Sequence, residues 1–566
     1  MSRFLADVAD LVRGFSASLT AFRTGRALTL AGERVSFRAM NDKPVSMDTL
    51  TALSKRRGFI FPSSEIYGGL NGFWDYGPLG SELKRFVKDA WWRTMVRRRE
   101  DVVGLDATII MNPAIWKASG HAAGFADPMV DCRACRKRFR ADQLCEEQGK
   151  ALVKTGTGFA LPEGTVCTAC GSKDLTAPRA FNLMFKTFVG PVEDDSAVAF
   201  LRPETAQAIF AQFPNIEATG RQKVPFGVAQ MGKSFRNEIN PRNYTFRSRE
   251  FEQMELEFFI RPDEAVELVS GHVAPADAGR AAGAEPAADW GWEAWHAYWV
   301  AQRLAWYKSV GLPEESLHLY WQKGDELAHY ARACVDIEYA FPFGVQELEG
   351  IAARSDFDLT QHQIHSGKDM TVFDEALKAA ASKLDDDAKA AFKARVADEW
   401  ASRGKDPEAA RSFVDRLFLG KYIPHVIEPS AGADRMTLAL LCNAYREETL
   451  TDANGKTDTR TVLRFHPAVA PIKVGVFPLV KNRPELYGKA REIFLALRRK
   501  WNCFWDESGA IGRRYRRMDE AGTPWCVTVD FDTLADGTVT LRDRDTMTQE
   551  RISLPDLVAK IDAALD

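Results

Sequence analysis

The segment 235–255 places arginines, an aromatic ring and carboxylates at spacings that suit nucleotide chemistry. It reads FRNEINPRNYTFRSREFEQME. Side chains alternate between the two faces of a strand, so Arg236 and Glu238 would share one face. In a second strand the same rule gives a shared face to Arg247, Arg249, Phe251, Gln253 and Glu255. A guanidinium binds phosphate, a ring stacks on a base and a carboxylate accepts from an amine, so the segment predicts a nucleotide site on an antiparallel hairpin.

Two C-x-x-C turns offer a second kind of chemistry. They are formed by Cys132, Cys135, Cys167 and Cys170. Each turn sets two sulfurs on one side of a bend, and four thiolates complete a tetrahedral zinc site with no open position, which is typical of structural zinc. A redox pair or relics of a lost site are the alternatives. The pairs lack a thioredoxin-like context, which argues against redox chemistry.

The elements that must position these groups belong to a large globular protein. The chain has 566 residues, 45% of them hydrophobic and 27% charged, with a net charge of −3. This length predicts several domains, and no apolar run approaches the roughly 20 residues of a membrane helix. An apolar stripe predicts a helix over 79–96. After 466 the pattern alternates between strands and helices, which indicates a second α/β domain.

The first 46 residues differ from the rest of the chain. They are rich in arginine, and Leu5, Val8, Leu11, Val12 and Phe15 have helical spacing. A transit peptide has this composition. A disordered tail, or an upstream start codon with true initiation at Met40 or Met47, is favoured over a transit peptide, because the segment has few clear processing signals.

The segment 235–255 resembles motif 2 of the class II aminoacyl-tRNA synthetases. Further sequence segments are similar to those of the homodimeric glycyl-tRNA synthetases of subclass IIa: GFIFPSSEIYGGLNGFWDYGPLG, SGHAAGFADPMVDC, LRPETAQAIF, ELEGIAARSDFDL, EPSAGADR and APIKVGVFPLVKNRPE. Several separate motifs in a fixed order identify a family far more specifically than any one motif does. The resemblance runs from about residue 53 to the C-terminus.

The resemblance implies an α+β fold, in which an antiparallel sheet flanked by helices carries a four-cysteine zinc-ribbon-like insert and a C-terminal α/β anticodon-binding domain. It divides the chain into an extension at 1–46, catalytic parts at 47–129 and 179–465, the insert at 130–178 and the anticodon-binding domain at 466–566. The helix over 79–96 would be motif 1, which packs across the axis of a homodimer.

The implied activity is that of a glycine–tRNA ligase. Such an enzyme uses ATP and Mg²⁺ to form glycyl-adenylate and passes glycine to the 3′ end of tRNA(Gly), releasing AMP and diphosphate in protein biosynthesis. An inactive, nucleic-acid-binding descendant is the alternative, and it should have lost Arg236, Glu238 or Arg435, which are all present. A seryl, prolyl or threonyl enzyme is a third reading, which the flanking words disfavour. The location would be cytoplasmic.

The resemblance also implies roles for individual residues. Arg236 and Arg435 would be catalytic. ATP would contact Arg236, Asn237, Glu238, Phe246, Arg247, Phe251, Glu347, Leu348, Gly432, Asp434 and Arg435, with Phe251 stacked under adenine. Glycine would contact Arg99, Glu204, Phe251, Gln253, Glu255, Arg354, Glu428, Ser430 and Gly432. Glu347 and Glu428 would be the carboxylates nearest magnesium or ATP.

Basic segments are candidate contacts for tRNA. Around the first cysteine pair lie Arg133, Arg136, Lys137, Arg138 and Arg140, and the C-terminal candidates are 498–500 and 513–517. Arginines interleaved with an aromatic residue suit phosphate contact and base stacking. A solvated basic face is the alternative for each of these three groups.

Overall fold

An antiparallel sheet of seven strands, here called the central sheet, organises the larger unit of the protein. The computed structural model describes residues 36–39, 45–156, 158–281, 283–328, 330–451 and 457–565. In spatial order the strands are Leu317–Trp321, Ala333–Phe341, Gly344–Ser355, His425–Gly432, Glu250–Ile260, Phe226–Phe235 and Val102–Gly104. Only the last pair is parallel. The antiparallel architecture expected from the sequence is confirmed.

The hairpin at 226–260 forms, but it begins and ends differently from the expectation. Its strands are Phe226–Phe235 and Glu250–Ile260. Arg236 and Glu238 therefore lie in the connecting loop, as do Arg247 and Arg249, and the prediction that these residues occupy strand faces is wrong. The turn residues of this loop compete with the ladder, and its proline has no N–H to donate.

Helices cover the central sheet. Helix Pro78–Trp92 has proline in its first turn and buries Leu83, Val87 and Trp91 at intervals of four, as the apolar stripe predicts. A π-helical turn, Arg93–Arg97, extends it. The other helices of this part are Met47–Arg57, Ala114–Ala118, His121–Gly124, Ala206–Gly220, Asp263–Ser270, Trp292–Ser309, Phe357–Ser366, Glu375–Ala381, Asp386–Ser402, Pro407–Phe418 and Ala433–Ala444.

Short strand pairs lie beside the central sheet in the chain's larger unit. They are Ile60–Pro62 with Trp74–Tyr76, Lys186–Phe188 with Val198–Phe200, and Val372–Phe373 with Lys421–Tyr422. Gly80, in the first turn of helix Pro78–Trp92, packs closely against the backbone of Phe59, because a Cβ at this position would lie 1.8 Å from the carbonyl oxygen of Phe59. Only glycine fits at the start of this helix.

The four-cysteine insert is a small body with its own core. Its sheet has the order Arg138–Arg140, Ala126–Asp131, Arg179–Asn182, and a hairpin pairs Val153–Thr155 with Gly158–Ala160. Helix Ala141–Glu146 packs on the sheet. Val130, Ala141 and Leu144 form the core.

The C-terminal part has a five-stranded mixed sheet. Its order is Cys503–Trp505, Val474–Pro478, Trp525–Val529, Thr538–Asp543, Gln549–Ser553, and its helices are Pro484–Arg498, Ile511–Ala521, Phe531–Asp536 and Leu554–Leu565. The alternation of strands and helices predicted after residue 466 is confirmed. Tyr515 is 9% exposed and hydrogen-bonds Thr528, so this ring is not available for base stacking. The prediction that the aromatic residue of 513–517 stacks on a base of tRNA is therefore wrong.

A separate three-stranded sheet joins Ser36–Ala39, Tyr445–Thr451 and Thr457–Leu463. Its first strand lies within the predicted extension 1–46. The helical spacing at 5–15 and the start position Met40 lie outside the described residues. Among the described residues, no helix combines the length and apolarity required to cross a membrane.

Candidate active site

Glu255 lies at the centre of a polar pocket on one face of the central sheet. Its strand pairs with the strand of Ser430, which is the residue directly opposite. One carboxylate oxygen accepts from Ser430 Oγ at 2.7 Å and from Gln253 Nε2 at 2.7 Å. The other accepts from the backbone N–H of Thr205 at 3.0 Å and from its hydroxyl. These bonds hold the carboxylate in one orientation.

Arg354 is the buried cation of this pocket. It is 3% exposed and donates two bonds to Asp358, at 2.8 and 3.0 Å. A third N–H donates to Glu428 Oε2 at 2.7 Å. The guanidinium also lies 4.0 Å from the centre of the Tyr330 ring. Because its donors are engaged by carboxylates, Arg354 orients Glu428 and neutralises part of the local negative charge.

Glu204 is the third carboxylate of the pocket. It directly precedes Thr205, the N-cap residue of helix Ala206–Gly220. Its carboxylate lies 3.2 Å from His121 Nε2 and accepts from Gln207 Nε2 at 3.1 Å. Burial by itself would raise the pKa of Glu204, but the charges of His121 and Arg354 and the hydrogen bonds from His121 and Gln207 outweigh it and lower the pKa well below its usual value. Glu204 is therefore ionised at neutral pH.

The pKa values of the neighbouring carboxyl groups are raised instead of lowered. Burial and the charge of Glu204 raise the pKa of Glu255. Burial, opposed by Arg354 and assisted by the other glutamates, raises the pKa of Glu428 to about 7. Burial also raises the pKa of Glu257 far above its usual value, and its two oxygens have no hydrogen-bond partner among the described residues. Carboxyls that raise one another's pKa favour a bound cation such as an ammonium group.

Arg236 lies beside this pocket, at the start of the hairpin loop. Its Nε donates to the carbonyl oxygen of Pro203 at 3.1 Å. The guanidinium lies between two rings, 5.4 Å from Phe125 and 5.3 Å from Phe251. Farther along the loop, Arg247 donates to Glu238 at 2.9 Å. The aromatic contacts fix the direction of Arg236 while leaving its terminal N–H groups available for an anion.

A second arginine–aromatic pair is formed by Arg435 and Phe246. The guanidinium lies 4.5 Å from the ring centre and 3.0 Å from the Glu347 carboxylate. Gly432 ends a strand and caps helix Ala433–Ala444, so Arg435 projects from the first helical turn. This pair supplies a ring and a cation on the hairpin-loop side of the pocket.

Asp434 has a structural set of contacts. It accepts from Tyr76 Oη at 2.6 Å, from Lys84 Nζ at 2.8 Å and from the backbone N–H of Glu252 at 2.6 Å. These bonds tie the first turn of helix Ala433–Ala444 to helix Pro78–Trp92 and to the hairpin. Asp434 therefore positions Arg435.

Other predicted residues stand apart from these contacts. Arg99 is bound to both oxygens of Asp101, at 2.8 and 2.7 Å, and to Tyr298, and it lies 4.7 Å from the Trp299 ring. The side chain of Leu348 is buried in the main core, so it is not available to a ligand. Asn237 donates its backbone N–H to the carbonyl of Leu183 at 2.7 Å.

Several residues of the pocket were not predicted as site residues. They are His121, Thr205, Gln207 and Asp358, all in contact with Glu204, Glu255 or Arg354. Asp358 follows Arg354 by four residues, but Arg354 lies near the end of a strand and Asp358 in the helix that follows, so a helical spacing does not account for their ion pair. His121 has no local sequence signal either, because its partner is distant in sequence.

The cysteines of the two C-x-x-C turns form one cluster. Cys132, Cys135, Cys167 and Cys170 place their sulfurs within 4.8 Å of one another. The distances are 3.7 Å from Cys132 to Cys170 and 3.6 Å from Cys135 to Cys167. A zinc ion with bonds of about 2.3 Å in a tetrahedron requires sulfurs about 3.8 Å apart. The arrangement fits a tetrahedral metal site.

We predict that the purified protein contains one zinc ion per chain, held by these cysteines. Cys167→Ser should remove the metal and make 130–178 sensitive to protease, because so small a core cannot hold the fold by itself. Metal analysis and limited proteolysis measure both effects. Cys145→Ser is the matched control, since Cys145 is buried in the same insert but lies outside the cluster. A metal-free wild-type protein would contradict the prediction.

The chain is similar to known proteins over most of its length. Residues 473–564 match the family model of the anticodon binding domain. A glycine–tRNA ligase of Thermobifida fusca is 46% identical over 91% of this chain and 97% of its own length. Those of Lysinibacillus sphaericus and Streptomyces coelicolor are 45% and 46% identical, over 92% and 90% of this chain and 99% and 96% of their own lengths.

Proposed function

Because the chain belongs to the family of glycine–tRNA ligases, we propose that it attaches glycine to the 3′ end of tRNA(Gly) at the expense of ATP. The glycine carboxylate attacks the α-phosphorus of ATP, which forms glycyl-adenylate and releases diphosphate. A hydroxyl of the terminal ribose of the tRNA then attacks the carbonyl carbon and releases AMP. Glycine, ATP and tRNA are the substrates.

The observation that carries this proposal is the excess of carboxyls around Arg354. Glu204, Glu255 and Glu428 accept the ammonium of glycine, and Ser430 and Gln253 hold Glu255 in place. Glycine has no side chain to recognise, so charge-assisted bonds to its ammonium supply the affinity. The close packing of these groups leaves little room for a β-carbon, and steric exclusion discriminates better than a larger apolar pocket.

The arginines act on the phosphates. Arg236 contacts the α-phosphate and the glycine carboxylate, where its charge stabilises the transition state. Arg435 and Arg247 bind the rest of the triphosphate. Phe251 was expected to stack on adenine. Phe246 is a second candidate for this stacking, because the Arg435 guanidinium lies 4.5 Å from the centre of its ring and the two groups together offer a ring and a cation to a nucleotide.

Magnesium accompanies ATP in this chemistry. It neutralises phosphate charge and is usually held by one or two carboxylates together with the phosphates. Among the described residues, only the cysteine cluster brings three or more ligand side chains together. Glu347 fits the role of a single magnesium carboxylate, since its side chain is 44% exposed, against 10% for Glu428. Glu428 is bound to Arg354 and belongs to the glycine side instead.

Other parts of the chain take the expected roles. The parts 47–129 and 179–465 are catalytic, and 466–566 binds the anticodon arm, in agreement with the matched anticodon binding domain. Helix Pro78–Trp92 is the dimer element of a homodimer in the cytoplasm. Arg99 as a glycine contact stays a prediction.

The decisive experiment is ATP–diphosphate exchange with each of the standard amino acids in turn. Exchange should depend on glycine alone, and labelled glycine should then pass to tRNA(Gly). An inactive descendant would give no exchange, and another class II enzyme would respond to a different amino acid. Either result would overturn the proposal.

The pH dependence of glycine use should show an acid limb near neutrality. Below a pH of about 7 Glu428 becomes protonated and loses its charge, whereas the glycine ammonium stays charged, so binding weakens as the pH falls. We expect kcat/KM for glycine to fall up to about tenfold per pH unit there. Exchange at limiting glycine from pH 5.5 to 8.5 measures it. Glu428→Gln should be slower and lack this limb, and an unchanged limb would exclude Glu428 as its origin.

A further inference from the structure

Gln207 links two carboxylates of the candidate active site that belong to different elements. Its Nε2 donates to Glu204 Oε1 at 3.1 Å and to Asp358 Oδ1 at 3.0 Å. Ionised carboxylates only accept hydrogen bonds, so the amide nitrogen faces them and the amide oxygen faces away. The side chain is 1% exposed, and both of its N–H groups are used on these two acceptors.

The amide oxygen of Gln207 contacts His362, which lies in helix Phe357–Ser366. His362 Nε2 is 3.0 Å from Gln207 Oε1. Because this oxygen can only accept, the contact assigns a proton to Nε2. Burial lowers the pKa of His362, against the attraction of Asp358 and together with the repulsion of His365, so the ring is neutral at pH 7. The imidazole therefore holds the Gln207 amide in the orientation that the carboxylates require.

This orientation is connected to the cation of the pocket as well. Asp358 Oδ1, which accepts from Gln207, also accepts from Arg354 at 3.0 Å, and Arg354 donates to Glu428 at 2.7 Å. Gln207 is thus the neutral link between Glu204 and the Arg354 network. A neutral amide fixes the two carboxylates without adding a positive charge, which would compete with an ammonium group for the same oxygens.

We propose that Gln207, held by His362, is a positioning residue for glycine, because it fixes the orientation in which Glu204 accepts the ammonium group. The inference rests on the proposed function, in which Glu204 is one of the ammonium acceptors. Gln207 acts through Glu204 and Asp358. The ammonium takes no part in the bond changes at the carboxylate, so its contacts are equal in the ground state and the transition state. Loss of the link should therefore raise KM for glycine and leave kcat unchanged.

A cavity of about 550 Å³ gives experimental access to His362. Its walls come from the helices Ala114–Ala118, Ala206–Gly220 and Phe357–Ser366 and from 368–370. His362 lines this cavity, whereas Glu204, Glu255 and Glu428 do not. A variant that lacks the His362 ring can therefore be supplied with free imidazole from outside the glycine side of the pocket.

Gln207→Met tests the link directly, because methionine keeps the length of the side chain and removes both N–H groups and the oxygen. In ATP–diphosphate exchange, KM for glycine should rise about tenfold or more. KM for ATP and kcat should stay unchanged. Gln212→Met is the matched control, since it removes an exposed amide from the same helix that bonds only locally, to Asn215.

A purely structural role for Gln207 predicts a different pattern. The variant would then lose active protein, which lowers kcat and the melting temperature and does not select glycine over ATP. That pattern, or an unchanged KM for glycine, would overturn the inference. Wild-type protein without glycine-dependent exchange would instead overturn the proposed function.

Changes at His362 separate its hydrogen bond from its packing. His362→Gln keeps an N–H donor and should stay close to wild type, whereas His362→Ala should raise KM for glycine and added imidazole should lower it again. Imidazole should not help Gln207→Met/His362→Ala, which lacks the acceptor, and this double variant should be no worse than Gln207→Met. His365→Ala is the control, because His365 is exposed and lines the same cavity. Additive losses, or equal rescue of the double variant, would remove His362 from the proposal.

Discussion

Arg236→Ala is expected to lower glycine-dependent ATP–diphosphate exchange by about 10³-fold, which corresponds to about 4 kcal/mol of transition-state stabilisation. In the proposed reaction negative charge grows at the α-phosphate as the glycine carboxylate attacks, and Arg236 is the cation proposed to stabilise it. The loss should fall mainly on kcat, because the ammonium of glycine is still bound by Glu204 and Glu255.

The stability of this variant should change little. Arg236 is only partly buried, and the substitution removes one bond to the carbonyl of Pro203 and two ring contacts. Arg236→Lys should recover part of the rate, since it restores the charge without the planar fork. Lys233→Ala is the control, because this exposed lysine of the same hairpin pairs with Glu250. Wild-type exchange in Arg236→Ala would remove Arg236 from the mechanism.

The expectation of a shared strand face is confirmed for one part of the hairpin and wrong for another. Gln253 and Glu255 lie two apart in a regular strand, and their side chains meet at 2.7 Å as alternation requires. Arg236 and Glu238 also lie two apart, but the strand ends at Phe235. The turn residues that follow were visible in the sequence. How far they shorten the ladder depends on competing tertiary contacts, such as the bond from Asn237 to Leu183.

Long-range partners explain most of what the sequence could not predict. His121 meets Glu204 only because helix His121–Gly124 and the strand before Glu204 are brought together by the insert sheet and its neighbours. The burial of an individual residue is equally difficult to predict from the sequence. Tyr515 lies in a basic run that is typical of a surface, yet it is buried against Phe477 at a ring distance of 5.8 Å.

Arg354→Met should be the most destabilising single substitution in the active site. Within the described ranges Arg354 is the cation that pairs with both Asp358 and Glu428, and a buried charge pair that loses one member typically costs about 3–5 kcal/mol. Glu428 and Glu257 would take up protons more readily than before, since Arg354 lowers the pKa of both. The protein would therefore lose more stability at pH 8 than at pH 6, because the orphaned carboxyls must ionise at the higher pH.

Thermal unfolding of Arg354→Met and wild type at the two pH values measures this difference. The double variant Arg354→Met/Asp358→Asn separates charge from packing, because Asn keeps the shape of Asp358 and removes the uncompensated charge. Its melting temperature should exceed that of Arg354→Met alone, which would demonstrate a coupling between the two sites. If instead the two substitutions lowered the melting temperature additively, the Arg354–Asp358 pair would not be what holds the pocket together. The pocket around Glu255 would then depend on packing of Arg354 against Tyr330 and Phe210.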